Sequence, residues 1–177
     1  MASPVGHAIV GLAAAAVVQL GTGTDSTPTL WVGAFIASGV PDLDVFLRLV
    51  GKVGPRYHRN ASHSFLTLIA FWMAVVGVSF GLDLGLSWGL LFAWLAALLT
   101  HPMLDYVTTG PRLGQVGFGI ALWWPVTRTR YCSKRLWFAR DRGETQRAWD
   151  YVPQALEEIV RLGPAAAGAV LLARFIV

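Results

Sequence analysis

The sequence is poor in charge. Asp, Glu, Lys and Arg make up 14% of its 177 residues, where a soluble domain carries about a quarter. Its single cysteine, Cys132, cannot close an internal disulfide, so a disulfide scaffold is excluded and no oxidising compartment is implied. No internal repeat is present, and the composition excludes a disordered chain or a coiled coil. No Lys or Arg precedes the first apolar stretch. The charged start of a cleaved signal is therefore missing, and the N-terminus reads as a retained first helix. What fills the chain instead is apolar: 55% hydrophobic residues with 8 Trp and 9 Phe, and a mean hydropathy of +0.55. Such a chain is solvated largely by lipid.

Four apolar stretches predict helical spans: Val5 to Leu20, Leu30 to Val40, Phe65 to Phe80 and Leu84 to Leu99. The second is short for a bilayer that asks for about 20 residues, and has to tilt or lean on its neighbours. Little more than Gly81-Leu82-Asp83 separates the third from the fourth, which makes them a helical hairpin. A more polar helix is expected over about Gln146 to Arg161, and a weaker apolar tail, Pro164 to Val177, reads as a partial fifth span. The expected fold is a single all-α domain over residues 1–177, a multi-pass membrane helical bundle. Gly114 to Trp124 reads equally as a re-entrant loop or a helix.

Placement of the basic residues sets the sidedness. Arg48, Lys52, Arg56 and Arg59 lie between the second and third spans, and all the rest except Arg161 and Arg174 follow the fourth. The links Gly21 to Thr29 and Gly81 to Asp83 carry none. The positive-inside rule then makes both basic segments and the N-terminus cytoplasmic, in the inner membrane. The +4 charge is therefore chiefly a topology signal, with some attraction for anionic lipid head groups. No nucleic-acid motif accompanies it, and no nucleic-acid partner is expected.

The chain has four histidines: His7 opens the first span, His58 and His63 precede the third, and His101 closes the fourth. Asp42 and Asp44 end the second span, and Asp105 stands four residues after His101. With alternating spans, all of these groups arrive at the cytoplasmic face. That convergence is independent of the Lys and Arg used to orient the chain. Taken singly each has an ordinary explanation. His7 serves as an interfacial histidine, the acids of Pro41-Asp42-Leu43-Asp44 favour a helix dipole, and His101 with Asp105 brace a helix end. Together they read as a metal site, because ionisable groups at lipid depth are costly and usually functional. His101 and Asp105, at i and i+4, share one helical face.

Seven candidate ligands, His7, Asp42, Asp44, His58, His63, His101 and Asp105, suit one or two divalent metals. Imidazole mixed with carboxylate favours zinc first, with manganese or iron as alternatives. Such a centre lowers the pKa of a water toward neutrality and so provides a nucleophile for hydrolysis. Asp44 and His58 are the candidates for proton transfer or a second metal. Arg59 is the candidate for clamping a phosphate, and Ser64 for capping the third span.

Gly6-His7, Pro41-Asp42-Leu43-Asp44, His58-Arg59-Asn60-Ala61-Ser62-His63-Ser64 and His101-Pro102-Met103-Leu104-Asp105 occur in that order. The chain in this respect resembles the YdjM-like family of bacterial and archaeal inner-membrane proteins, over roughly residues 5 to 130. Trp123-Trp124-Pro125 is similar to that family's later aromatic-Pro segment. The resemblance implies a metal-dependent hydrolase. Two departures stand out: Ser62 replaces the family's usual Thr, and no His directly follows Asp44. The ligand order is more distantly similar to that of zinc-dependent phospholipase C and the zinc-dependent single-strand nucleases. That likeness implies His7, Asp42 or Asp44, His58 or His63, and His101 with Asp105 as ligands, in a version with at most two metals. Likeness of this kind is a weak warrant for a substrate.

The expected function is hydrolysis of a phosphoester in a phospholipid or other lipid-linked substrate at the cytoplasmic interface. The alternative is a non-catalytic membrane protein whose metal is structural or sensed. A metal transporter ranks last, because Phe71 to Val78 and Leu90 to Leu98 offer no polar stepping stones.

Overall fold

The computed structural model describes residues 2–44, 60–109, 119–133 and 151–176. His58 and Arg59 lie outside them, as does most of the basic sequence between spans. The described residues are helical apart from turns and one isolated antiparallel bridge, Ile120 to Tyr131. The helices are α1 (Pro4–Thr22), α2 (Pro28–Gly39), α3 (Phe65–Gly81), α4 (Trp88–Thr108) and α5 (Tyr151–Ile176). Short 3₁₀ turns, Val40–Leu43 and Ala61–His63, end α2 and precede α3.

Local chemistry sets the helix starts. Ser3, Thr27 and Ser87 each accept a hydrogen bond from a backbone N–H of the first turn, and Pro4 and Pro28 occupy early positions where no donor is lost. Ser64 departs from expectation. It sits at the N-cap of α3, yet its hydroxyl donates to the carbonyls of Leu122 and Trp124 instead.

Two helices, α1 and α4, have the length and apolarity to cross a membrane; α3 is apolar but has 17 residues, and α2 has 12. Helix α4 begins later than its apolar run and continues through Pro102 to Thr108, so His101 and Asp105 both lie within it, on the one helical face that their spacing implies. The tail also differs from expectation. It is one continuous helix from Tyr151 to Ile176 with Pro164 inside it, not a polar helix followed by a partial span.

Helix α4 is the centre of the bundle. On one side Leu90, Ala93 and Ala97 pack with Ala15 of α1 and with Leu30 and Ala34 of α2. On the other, Leu91 and Leu98 pack with Leu68, Trp72 and Val76 of α3. Two indoles tie these contacts to the backbone: Trp72 Nε1 donates to Leu91 O and Trp94 Nε1 to Leu30 O. Glycine permits the close crossings. A methyl at Gly11 would stand 2.5 Å from Ser38 Cβ, and one at Gly33 would stand 2.1 Å from the Trp94 indole.

The outer surface is apolar as well. Phe35, Ile36, Phe71, Met73, Phe80, Leu171, Leu172 and Phe175 are all exposed, which is the distribution expected of a bundle facing lipid.

The close approach of α2 to α4 gives a direct test. Gly33→Leu should push Trp94 away and destabilise the bundle by about 1–3 kcal/mol. The melting midpoint in detergent should fall, whereas leucine at Gly77, where nothing lies within 4 Å, should leave it near wild type.

Candidate metal centre

Four segments deliver side chains to one end of the bundle. His7 stands in the first turns of α1, Asp42 in the 3₁₀ turn after α2, His63 in the turn before α3, and His101 with Asp105 near the end of α4. Two lateral ties hold this end together. The loop 119–133 is closed by the paired bonds between Ile120 and Tyr131. It accepts at Leu122 O from Phe65 N, while Ser133 N donates to the carbonyls of Tyr106 and Thr109. Arg130 reaches from the same loop to Asn60 and the Gly119 carbonyl. The turn that carries His63 is thereby fastened to the end of α4 that carries Asp105.

The five groups form a ring. His7 Nε2 lies 3.3 Å from Asp105 Oδ1, and Asp105 Oδ2 lies 3.4 Å from His63 Nε2. His63 Nε2 is 3.5 Å from Asp42 Oδ1, which is 3.4 Å from His101 Nε2. The rings of His101 and His7 stack with centroids 3.6 Å apart and complete the circle. Within each of two triads, His7 with His101 and Asp105, and Asp42 with His63 and His101, one ligand atom per residue lies within 4.8 Å of the others. Four of the five side chains are at most 2% exposed, and Asp42 is 24% exposed, so the ring opens at Asp42.

These separations are long for N–H···O bonds. No hydrogen bond closes on His7 Nε2, Asp42 Oδ1, His101 Nε2 or either Asp105 oxygen, all of them buried. Burying so many polar atoms without partners is expensive, and buried charges are ordinarily paired or bound to metals. Ligand atoms arranged tetrahedrally at 2.0–2.2 Å from a cation stand about 3.3–3.6 Å apart. The ring has that spacing, and its three imidazoles and two carboxylates are the donor set that suits zinc, manganese or iron. The residues present therefore fit a divalent metal.

Two of the three outward nitrogens are anchored too, those of His101 and His63. His101 Nδ1 lies 2.6 Å from the Ser38 carbonyl. A carbonyl only accepts, so the Nδ1 proton points there and Nε2 turns its lone pair into the ring. His63 Nδ1 lies 3.0 Å from Ser62 Oγ.

Two groups at this end titrate far from their usual ranges. Burial raises the Asp42 carboxyl, but the imidazoles of His101 and His63 beside it outweigh burial and hold it well below the usual carboxylate range. Burial lowers His63, but Asp105 and Asp42 on either side outweigh it and push the imidazole up to about 9. With no metal bound, a proton on His63 supplies the cation that two carboxylates require.

Of the expected ligands, the structure brings together His7, Asp42, His63, His101 and Asp105. Asp44 stands outside the ring, 2.6 Å from Ser62 Oγ; His58 and Arg59 fall outside the described residues. Sequence reasoning gave no role to Ser62 or to the Ser38 carbonyl. Adjacency to His63 and a hydroxyl where the resembled family has Thr were the signals for Ser62, and a backbone acceptor leaves none. At the other end of the bundle a cleft of about 570 Å³ is lined by Thr22, Thr24, Asp25, Thr27 and Ser87 among others. It offers hydroxyls and a carboxylate but no imidazole.

The YdjM inner membrane protein family model matches residues 1–176. The chain belongs to that family. No curated protein and no solved structure matches it. Family membership places this YdjM protein in a membrane, in agreement with its two spanning-length helices, and the name carries no activity.

The raised His63 makes a prediction for the metal-free protein. An unfolded histidine titrates near about 6.5, so the stabilisation from His63 is complete below that pH and is lost as pH rises through about 9. Asp42, already ionised, contributes a constant amount across this window. Chelator-treated protein should melt lower at about pH 10 than at about pH 6, and His63→Gln should flatten that slope. An equal slope in the variant would assign the loss to other groups.

Proposed function

We propose that this YdjM family member is a multi-pass membrane hydrolase with one or two divalent metals, zinc in the first place, held among His7, Asp42, His63, His101 and Asp105. The observation that carries this reading is the convergence of five ligating side chains in which His7 Nε2, Asp42 Oδ1, His101 Nε2 and both Asp105 oxygens are buried with no hydrogen bond closing on them. A cation bound there would supply an acidified water and a Lewis-acid contact for a phosphoester oxygen. The chain's own residues do the rest. His101 is aimed by Ser38 O, and Asp105 spans two imidazoles with its two oxygens. Burial of the four enclosed side chains excludes bulk solvent, which strengthens every electrostatic contact inside. Asp42, the one partly exposed member, marks where water and substrate reach the ring.

The substrate class follows from location. The ring lies towards helix ends, which this reading sets at the level of head groups, and the sequence segments that follow α2 and α4 hold most of the Lys and Arg. Phospholipids and lipid-linked phosphoesters are the phosphoesters available there, and the positive-inside rule makes that face cytoplasmic.

Parallel packing of α5 on α1 supports an odd number of crossings. Near one end Ser3 N and Oγ donate to the buried Glu158 carboxylate. Near the other, Gln19 Nε2 donates to Ala173 O. The two contacts are about 24 Å apart along α1, so α5 runs beside most of the crossing that α1 makes. With the four expected spans before it, α5 is in this reading a fifth crossing that ends opposite the metal centre.

Two experiments test this reading. Protein purified in detergent should carry about one or two metal equivalents and hydrolyse phospholipid or phosphodiester substrates. His101→Ala should lose the metal and at least about 100-fold of the rate. Metal without turnover on any lipid phosphoester would leave a structural or sensory centre, and protein that takes up no metal would sink both readings. For topology, reporters fused at Asp83 and after Val177 should lie outside and one at Arg135 inside; an inside signal after Val177 would remove the fifth crossing.

A further inference from the structure

Pro41-Asp42-Leu43-Asp44 brings two carboxylates to the metal end, and only one enters the ring. In a 3₁₀ turn with three residues per turn, positions i and i+2 point about 120° apart. Asp42 therefore faces His63 and His101, while Asp44 faces Ser62. Ser62 Oγ lies 2.6 Å from Asp44 Oδ2 and 3.0 Å from His63 Nδ1. An ionised carboxylate only accepts, so the Ser62 hydroxyl donates to Asp44 and its lone pair receives the Nδ1 proton of His63. With that proton fixed on Nδ1, Nε2 is left to face Asp42 and Asp105 from inside the ring.

We propose that Asp44 and Ser62 are positioning residues, a carboxylate–hydroxyl–imidazole relay that sets the tautomer and aim of His63, and that Asp44 is not itself a ligand. The inference rests on the metal-centre reading above. His101 obtains the same alignment from a backbone carbonyl, Ser38 O. His63, in a short turn outside the regular helices, obtains it from side chains of two separate turns. The relay therefore also joins the turn after α2 to the turn before α3, and it keeps the two ring members on those turns, Asp42 and His63, in register. A hydroxyl is the necessary middle piece, since it must donate one bond and accept another.

The test uses the full chain in detergent, with zinc affinity measured by chelator competition and the visible spectrum of the cobalt(II)-substituted protein as a report on coordination. Ser62→Ala and Asp44→Ala should each weaken zinc about 10–100-fold. Ser62→Thr, which keeps the hydroxyl, should bind as wild type does. The double variant should be no weaker than the weaker single one, because both substitutions break the same chain of bonds. Asp44→Ala should leave the cobalt band positions unchanged. Shifted bands in Asp44→Ala, or additive losses in the double variant, would make Asp44 a ligand and overturn the relay. Wild-type zinc affinity in both single variants would overturn it as well while leaving the metal centre standing. Absence of zinc binding by the wild type would overturn both.

Discussion

Two carboxylates, Asp105 buried and Asp42 partly so, face three imidazoles and require a positive charge between them, and the rest of the molecule is arranged around that requirement. In an apolar surrounding, Asp42 and Asp105 cannot both stay ionised without a cation close by. The raised affinity of His63 for a proton expresses this need in the metal-free state, and a divalent ion would meet it with the same donors. A bound metal would compete with that proton for one place, which would link its binding to pH. Three of the five groups lie at or next to helix ends, where irregular backbone lets side chains from separate segments converge.

The bundle meets that demand by alternation. Antiparallel helices return every second connection to the same end, so the start of α1, the end of α2, the start of α3 and the end of α4 meet there. Close packing then converts a shared end into contact. Gly11 lets α1 approach Ser38, whose carbonyl anchors His101. The loop 119–133 performs the corresponding task for His63, bonding both to the start of α3 and to the end of α4. Glu158 has a related role at the outer side, closing on Ser3 one turn before His7.

Hydropathy located the first and third spans to within two residues, because Val5 to Leu20 and Phe65 to Phe80 are apolar and bounded by turn residues. It failed at the end of α4. Thr100, His101, Pro102 and Asp105 lower the local hydropathy, yet the helix continues, with Thr100 Oγ1 donating inside it to Ala97 O and His101 Nδ1 meeting the Ser38 carbonyl of α2. It failed again at Pro164, which reads as a boundary but lies inside a helix supported along its length by α1. Ser64 followed the cap rule in position only, since the carbonyls of Leu122 and Trp124 took its hydroxyl. Each miss has one cause: a partner distant in sequence outweighed a local preference.

The sequence by itself determined that the chain is helical, apolar and a membrane protein, because composition and periodicity act locally. It also singled out a small set of His and Asp residues, since polar groups are conspicuous in so apolar a chain. Only the tertiary structure decided which of them meet. Whether Asp42 or Asp44 enters the ring depends on the direction of a 3₁₀ turn relative to α4, and the role of Ser62 depends on two turns standing side by side. Those are distances between segments far apart in the chain, and no spacing along it encodes them.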